Sequence, residues 1–123
     1  MSEITLKRQL LEAYENGQRY FESIDLDLAE DLDDVVLSGA VFKLCCFNVR
    51  FLRADLCGCQ FIDCDLKTAD FRHSNLTNAS IIGCTVESTR FRDAILTGFV
   101  FNHNSAYSQD TGQADFDDFI YRF

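Results

Sequence analysis

Proline and tryptophan are absent from the chain, and its 123 residues include a single methionine. No apolar run approaches the ~18 residues that a membrane-spanning helix needs, which excludes a helical membrane protein. The opening stretch, MSEITLKRQLLEAYENG, carries charges throughout and has no continuous apolar centre, so no secretory signal is expected. Glycines fall singly, and no Gly-rich run is available to cradle a phosphate. Bases are scarce: eleven Lys and Arg stand against twenty acids, and the net charge of −9 disfavours nucleic acid as a direct partner. Six cysteines without a secretion signal imply a reducing cytosol and free thiols, hence a cytoplasmic location.

What the chain does have is phenylalanine, twelve in all, and the placement is regular. From Phe51 a large apolar residue recurs every five positions: Phe51, Leu56, Phe61, Leu66, Phe71, Leu76, Ile81, Val86, Phe91, Leu96 and Phe101. Leu37, Phe42 and Phe47 extend the series upstream, with the step from Phe47 to Phe51 shortened to four. A smaller residue stands two positions before most centres, as at Ala54, Cys59, Cys64, Ala69, Ser74, Ala79 and Cys84. A step of five matches neither the strand period nor the helix period. A second period of twenty lies above it: Phe51, Phe71 and Phe91 form one column, and Leu37, Leu56, Leu76 and Leu96 another. Cys45, Cys64 and Cys84 keep the same register, as do Gly39, Gly58, Asn78 and Gly98, where Asn stands in for Gly at a corner needing positive φ. Such columns describe a four-sided solenoid whose coils stack ~4.8 Å apart, with centres and small residues facing inward.

The segments Ala54-Asp55-Leu56, Ala69-Asp70-Phe71 and Ser74-Asn75-Leu76 follow the pattern A-(D/N)-L-x-x. Over residues 35–103 the chain resembles the pentapeptide-repeat proteins, although the Asp/Asn slot is degenerate at Val41, Cys46, Arg50, Gln60 and Arg90. The resemblance implies an all-β solenoid, a right-handed quadrilateral parallel β-helix, here of about five coils. It also implies Asp or Asn bonding backbone at the turns.

A solenoid needs a cap at each end. Residues 5–16 read as a helix with Leu6, Leu10, Ala13 and Tyr14 on one face and Gly17 as its stop, so 1–18 is expected to be an N-terminal α-helical cap. The β-helix is then expected over 19–123, with residues 27–34 out of phase, regular repeats over 35–103 and an irregular terminal coil over 104–123. Phe99 occupies a position otherwise kept for small residues. Phe99, Phe101, Phe119, Tyr121 and Phe123 concentrate apolar surface at the C-terminal end, where a homodimer interface is expected.

The dense stretch ADLCGCQFIDCDLKTADF reads as architecture, not as a metal or redox site. Cys45, Cys59, Cys64 and Cys84 take inward positions, and Cys46 and Cys57 face out, so ligands do not converge on a metal. His73 and His103 lie on different sides with no nucleophile partner, so neither a catalytic site nor a cofactor site is expected.

Charge is distributed unevenly. Residues 22–34 hold seven acids and no base, whereas residues 35–103 hold seven bases and six acids. The side of Phe51, Phe71 and Phe91 carries Arg50, Arg53, Arg72, Arg90 and Arg92, and is the expected contact surface for an acidic protein partner. The expected function is a non-enzymatic protein–protein interaction module. Two alternatives stand beside it. The resemblance extends to proteins that protect DNA gyrase by imitating DNA, so a gyrase or topoisomerase modulator is one, weakened by the near-neutral body. An immunity-type protein that neutralises a toxin is the other, since small acidic single-domain proteins serve in that role.

Overall fold

The computed structural model describes residues 5–27 and 30–116. Most repeats are built the same way: an inward centre, then a residue of positive φ two positions later, Phe47 with Val49 being an exception. Arg53 (φ 58°), His73 (φ 61°) and Asp93 (φ 61°) follow Phe51, Phe71 and Phe91 in this manner. The left-handed residue bends the chain at these corners, and strands are limited to three residues.

Four walls result. The first is a parallel sheet of β1 (Tyr20–Glu22), β3 (Val41–Lys43), β5 (Gln60–Ile62), β6 (Ser80–Ile82) and β7 (Val100–Asn102). Its register stacks Phe21, Phe42, Phe61, Ile81 and Phe101. On the second wall β2 (Asp25–Leu26) pairs with β4 (Cys46–Phe47), and single bridges carry the ladder on through Asp65, Thr85 and Ser105. The third wall is bridged through Arg50, Asp70 and Arg90, and the fourth through Val36, Asp55, Asn75 and Ile95. Four turns separate the five strands of the first wall, one fewer than the coil count expected from the sequence.

Inside, Phe51, Phe61, Phe71 and Phe91 are fully buried. Rings of one column lie nearly parallel, with Phe71 5.4 Å from Phe91 at 10°. Rings from the opposite first and third walls meet edge to face across the interior, as Phe61 and Phe71 do at 5.7 Å and 71°. Both arrangements suit the ring quadrupole.

Residues 27–34 do not all fall out of phase. Leu32 is fully buried, and its N–H donates to the Arg50 carbonyl at 2.7 Å. It is the first member of the Phe51 column, nineteen residues before it. The step from Leu26 to Leu32 is six residues, and the step from Phe47 to Phe51 is four. Both irregularities sit at the corner between the second and third walls, so the extra residue of one coil is removed in the next.

The ends close differently. Helix α1 (Leu6–Glu15) is capped by Thr5, whose Oγ1 accepts from the Arg8 N–H at 3.1 Å. Leu10 is its one buried residue, and Leu6 is exposed. The Tyr14 hydroxyl donates to the Ser38 carbonyl at 2.8 Å, which fixes the helix to the first corner of the fourth wall. At the far end, within the segment expected as an irregular terminal coil, β8 (Asn104–Ala106) and β9 (Gln109–Thr111) form an antiparallel hairpin. A 3₁₀ turn over Gln113–Asp115 then brings Phe116 onto Phe91, Phe99 and Phe101 at 5.1, 5.2 and 4.9 Å. Gln113 Oε1 accepts the Phe101 N–H at 3.0 Å, covering part of the last strand edge.

Candidate interaction surface

The interior cysteines have a specific structural task. At most corners the small residue's N–H closes a turn onto the preceding centre, as from Ala69 to the Leu66 carbonyl at 3.0 Å. At the corner after the first wall, side chains bond these peptide groups instead. Cys64 Sγ donates to Phe42 O and Cys84 Sγ to Phe61 O, each at 3.3 Å. Cys84 Sγ also accepts from the Cys64 N–H at 3.3 Å. Asn104 ends this column: its Oδ1 accepts from the Cys84 N–H at 2.9 Å and its Nδ2 donates to Ile81 O at 3.0 Å. Buried peptide groups are costly to leave unpaired, and the column pairs them. Burial pushes the Cys59 thiol up to about 12, so it stays protonated and inert. Cys46 and Cys57 are half-buried at the outer surface, and all six thiols are free.

The outward acids and amides fix the turns. Asp55, Asp65, Asp70 and Asn75 each accept, through Oδ1, the N–H two residues on, at 3.0 to 3.2 Å. This is the local bond for which Asp and Asn are favoured at turns.

On the third wall the arginines divide into two sets. Arg50 reaches down one coil to Asp33 at 2.8 Å and Asp31 at 3.8 Å. Arg53 holds Asp34 in a fork, Nε at 2.7 Å and Nη2 at 3.0 Å. That hydrogen bond, followed by the Arg53 charge, holds the Asp34 carboxyl below its usual range. Arg72 forks onto Asp70 in its own coil at 2.8 to 3.1 Å. Arg90 and Arg92 form no ion pair among the described residues and are exposed. The acidic segment therefore serves as the first coil of the arginine wall and neutralises its lower part. Sequence reading missed the roles of Asp31, Asp33 and Asp34 because the six-residue step hides their phase. Counting nineteen back from Phe51, as for Leu37 and Leu56, would have found them.

Of the residues expected at a dimer interface, Phe99 is 8% exposed and Phe101 is fully buried, both beneath Phe116. Phe119, Tyr121 and Phe123 lie outside the described residues. His73 Nε2 stands 3.9 Å from Asp93 on an exposed corner, and His103 occupies a different corner. Among the described residues no group of three or more His, Cys, Asp or Glu is placed to hold a metal ion. None of their helices is long and apolar enough to cross a membrane.

Comparison with known proteins agrees with this geometry. The family model described as pentapeptide repeats (8 copies) matches residues 50–87 and 59–98. No curated protein matches the chain. Among solved structures, the chain is similar to QnrB1, a plasmid-mediated fluoroquinolone resistance protein. Identity is 24% and TM-score 0.53, covering 68% of this chain and 56% of that one. It is also similar to the pentapeptide-repeat protein Rfr23 from the cyanobacterium Cyanothece 51142, with 20% identity and TM-score 0.55, covering 65% and 58%. The chain thus spans somewhat over half the length of these two relatives. Residues 50–98 are thus pentapeptide repeats, and the twenty-residue winding and these structural neighbours share that fold.

Proposed function

We propose that this protein is a non-enzymatic interaction module that binds another protein through its outer walls. The observation that carries the reading is the separation of tasks along each repeat. Centre and small residues are buried and fixed by packing. The positions on either side of each centre face out at a constant spacing set by the ladder. The outer side chains not engaged in turns or ion pairs are free to serve recognition, and a rigid scaffold lowers the ordering cost of binding. The third wall is the favoured surface, with Arg90 and Arg92 its unmatched part and Arg50, Arg53 and Arg72 already engaged with Asp33, Asp34 and Asp70. Quantitative affinity purification from the native host, with the tagged protein as bait, tests the module. One protein retained in stoichiometric amount is expected, and repeated absence of any such protein overturns the reading.

Modulation of DNA gyrase is a second reading, motivated by the fold shared with a fluoroquinolone resistance protein. Assay of gyrase supercoiling with and without the purified protein tests it. Neutralisation of a toxin is a third, tested by co-expression with candidate toxins encoded alongside. An end-to-end homodimer would need a surface other than the Phe99 and Phe101 rings, which Phe116 already covers.

A further inference from the structure

We infer that the last coil of the third wall is a docking rung for an extended acidic peptide segment, one with carboxylates at alternate positions. This rests on the interaction-module reading and names the partner chemistry of its favoured surface.

The inference comes from the charge ladder of that wall. The position before each centre reads Asp31, Arg50, Asp70, Arg90 in successive coils, with Asp70 bridged to Arg50 on one side and to Arg90 on the other. Sign alternates at every step, and the ladder ends on a cation. Within it, the lower arginines show how the wall reads a neighbouring strand. Asp31 and Asp33, two residues apart on the first coil, converge on Arg50 at 3.8 and 2.8 Å. Asp34 beside them takes the fork of Arg53. The backbone of the same segment lies on the wall in parallel, Leu32 N to Arg50 O at 2.7 Å and Asp34 N to Leu52 O at 2.9 Å. The first coil is thus an acidic strand seated on arginines of the second.

At the other end the corresponding acid is missing. Twenty residues after Arg90 stands Asp110, the acid that would continue the alternation. The terminal hairpin takes it out of the column and pairs it with Ser105, where it is exposed. Arg90 and Arg92 remain, two residues apart and unpaired among the described residues. Alternate residues of an extended chain lie on one face at a repeat of roughly 6.6 Å. A partner strand with Asp or Glu at i and i+2 presents the same repeat. Among the described residues Asp70 is held by Arg72, with the Arg90 charge acting on it from beyond ion-pair distance, and Asp93 stands 3.9 Å from His73. Carboxylates fit better than a phosphate backbone, because the wall's own arginines are matched to carboxylates on alternate and neighbouring residues of an extended segment.

The test uses a fluorescent ten-residue peptide alternating aspartate and valine, with the asparagine–valine peptide and an oligothymidylate as comparators. Binding is followed by anisotropy at low salt, up to millimolar protein. The aspartate peptide is expected to bind, the asparagine peptide not, and added salt is expected to weaken binding. The variant carrying Arg90→Glu and Arg92→Glu is expected to lose affinity by about tenfold or more. The variant carrying Lys43→Glu and Lys67→Glu, equal in charge change but on other walls, is expected to stay within about twofold. Overlaid circular dichroism and melting curves would establish that both variants fold. In the peptide assay four outcomes overturn the inference: no binding of the aspartate peptide, equal binding of the asparagine peptide, equal loss in the two variants, or tighter binding of oligothymidylate. If wild-type and Arg90/Arg92-reversed baits retain the same native protein, the module reading stands and the docking rung fails. If neither bait retains any, the module reading itself fails.

Discussion

Phe51 and Phe71, twenty residues apart in sequence, stack with ring centroids 4.7 Å apart and planes within 8° of parallel. Phe71 also meets Phe61 of the first wall edge to face. A residue in this position cannot shrink without leaving a void among rings that belong to three coils. Phe71→Ala is expected to cost about 3–5 kcal/mol in urea unfolding. Phe71→Asp buries an unpaired charge and is expected to abolish the cooperative thermal transition seen by circular dichroism.

Asn104 replaces cysteine in the column of Cys45, Cys64 and Cys84, and bonds the peptide groups of the coil beneath. Asn104→Leu is expected to destabilise by about 1–3 kcal/mol, the cost of leaving buried groups unpaired. Asn104→Cys, which repeats the residue found in the coils beneath, is expected to be the better tolerated of the two. Thermal melts of both variants against the parent check the order.

Native thiol labelling is expected to modify Cys57 first and Cys46 slowly, and to spare Cys45, Cys59, Cys64 and Cys84. Cys46 is partly exposed, but burial, followed by the charges of Asp65 and Asp25, pushes its thiol up to about 11. Its Sγ also donates to Asn48 Oδ1 at 2.9 Å. Mass spectrometry after timed iodoacetamide treatment reads the order, and early labelling of Cys64 would contradict the inward assignment.

Asp70 links stability to acid. Burial opposes its ionisation, but hydrogen bonds from the Arg72 side chain and backbone, with the charges of Arg72 and Arg90, outweigh it and hold the carboxyl below the usual range. The folded state therefore binds this proton less readily than the unfolded state. Its stabilisation is full above the ordinary carboxylate pKa of about 3.9 and is lost as pH falls through the lower folded value. Asp70→Asn is expected to be less stable at neutral pH and to show a flatter decline below pH ~4. Urea midpoints measured across that range check both.

The columns could be read from the sequence because burial imposes them. Phe51, Phe71 and Phe91 occupy equivalent places in successive coils, so one environment selects one residue type three times. The Leu column at 37, 56 and 76 obeys the same logic. The arginine side was also visible as outward positions on one wall. What could not be read was whether each arginine already had a partner. That depends on Asp31, Asp33 and Asp34, whose phase is hidden by one inserted residue after Leu26. The C-terminal end was illegible for a different reason. Asp110 and Phe116 keep the five-residue phase, yet the hairpin around Tyr107 and Ser108 overrides it, with positive φ at both turn residues. Phase alone does not report where a local turn is more favourable than another rung.

The central claim is that the chain winds once per twenty residues and brings equivalent side chains into contact. Ring-to-ring nuclear Overhauser effects in protein labelled at phenylalanine test it most directly. Strong cross-peaks are expected between Phe51 and Phe71 and between Phe71 and Phe91, with none between Phe51 and Phe91, which lie two coils apart. Absence of the first two, or ring resonances of any of the three showing contact with water, would contradict the winding.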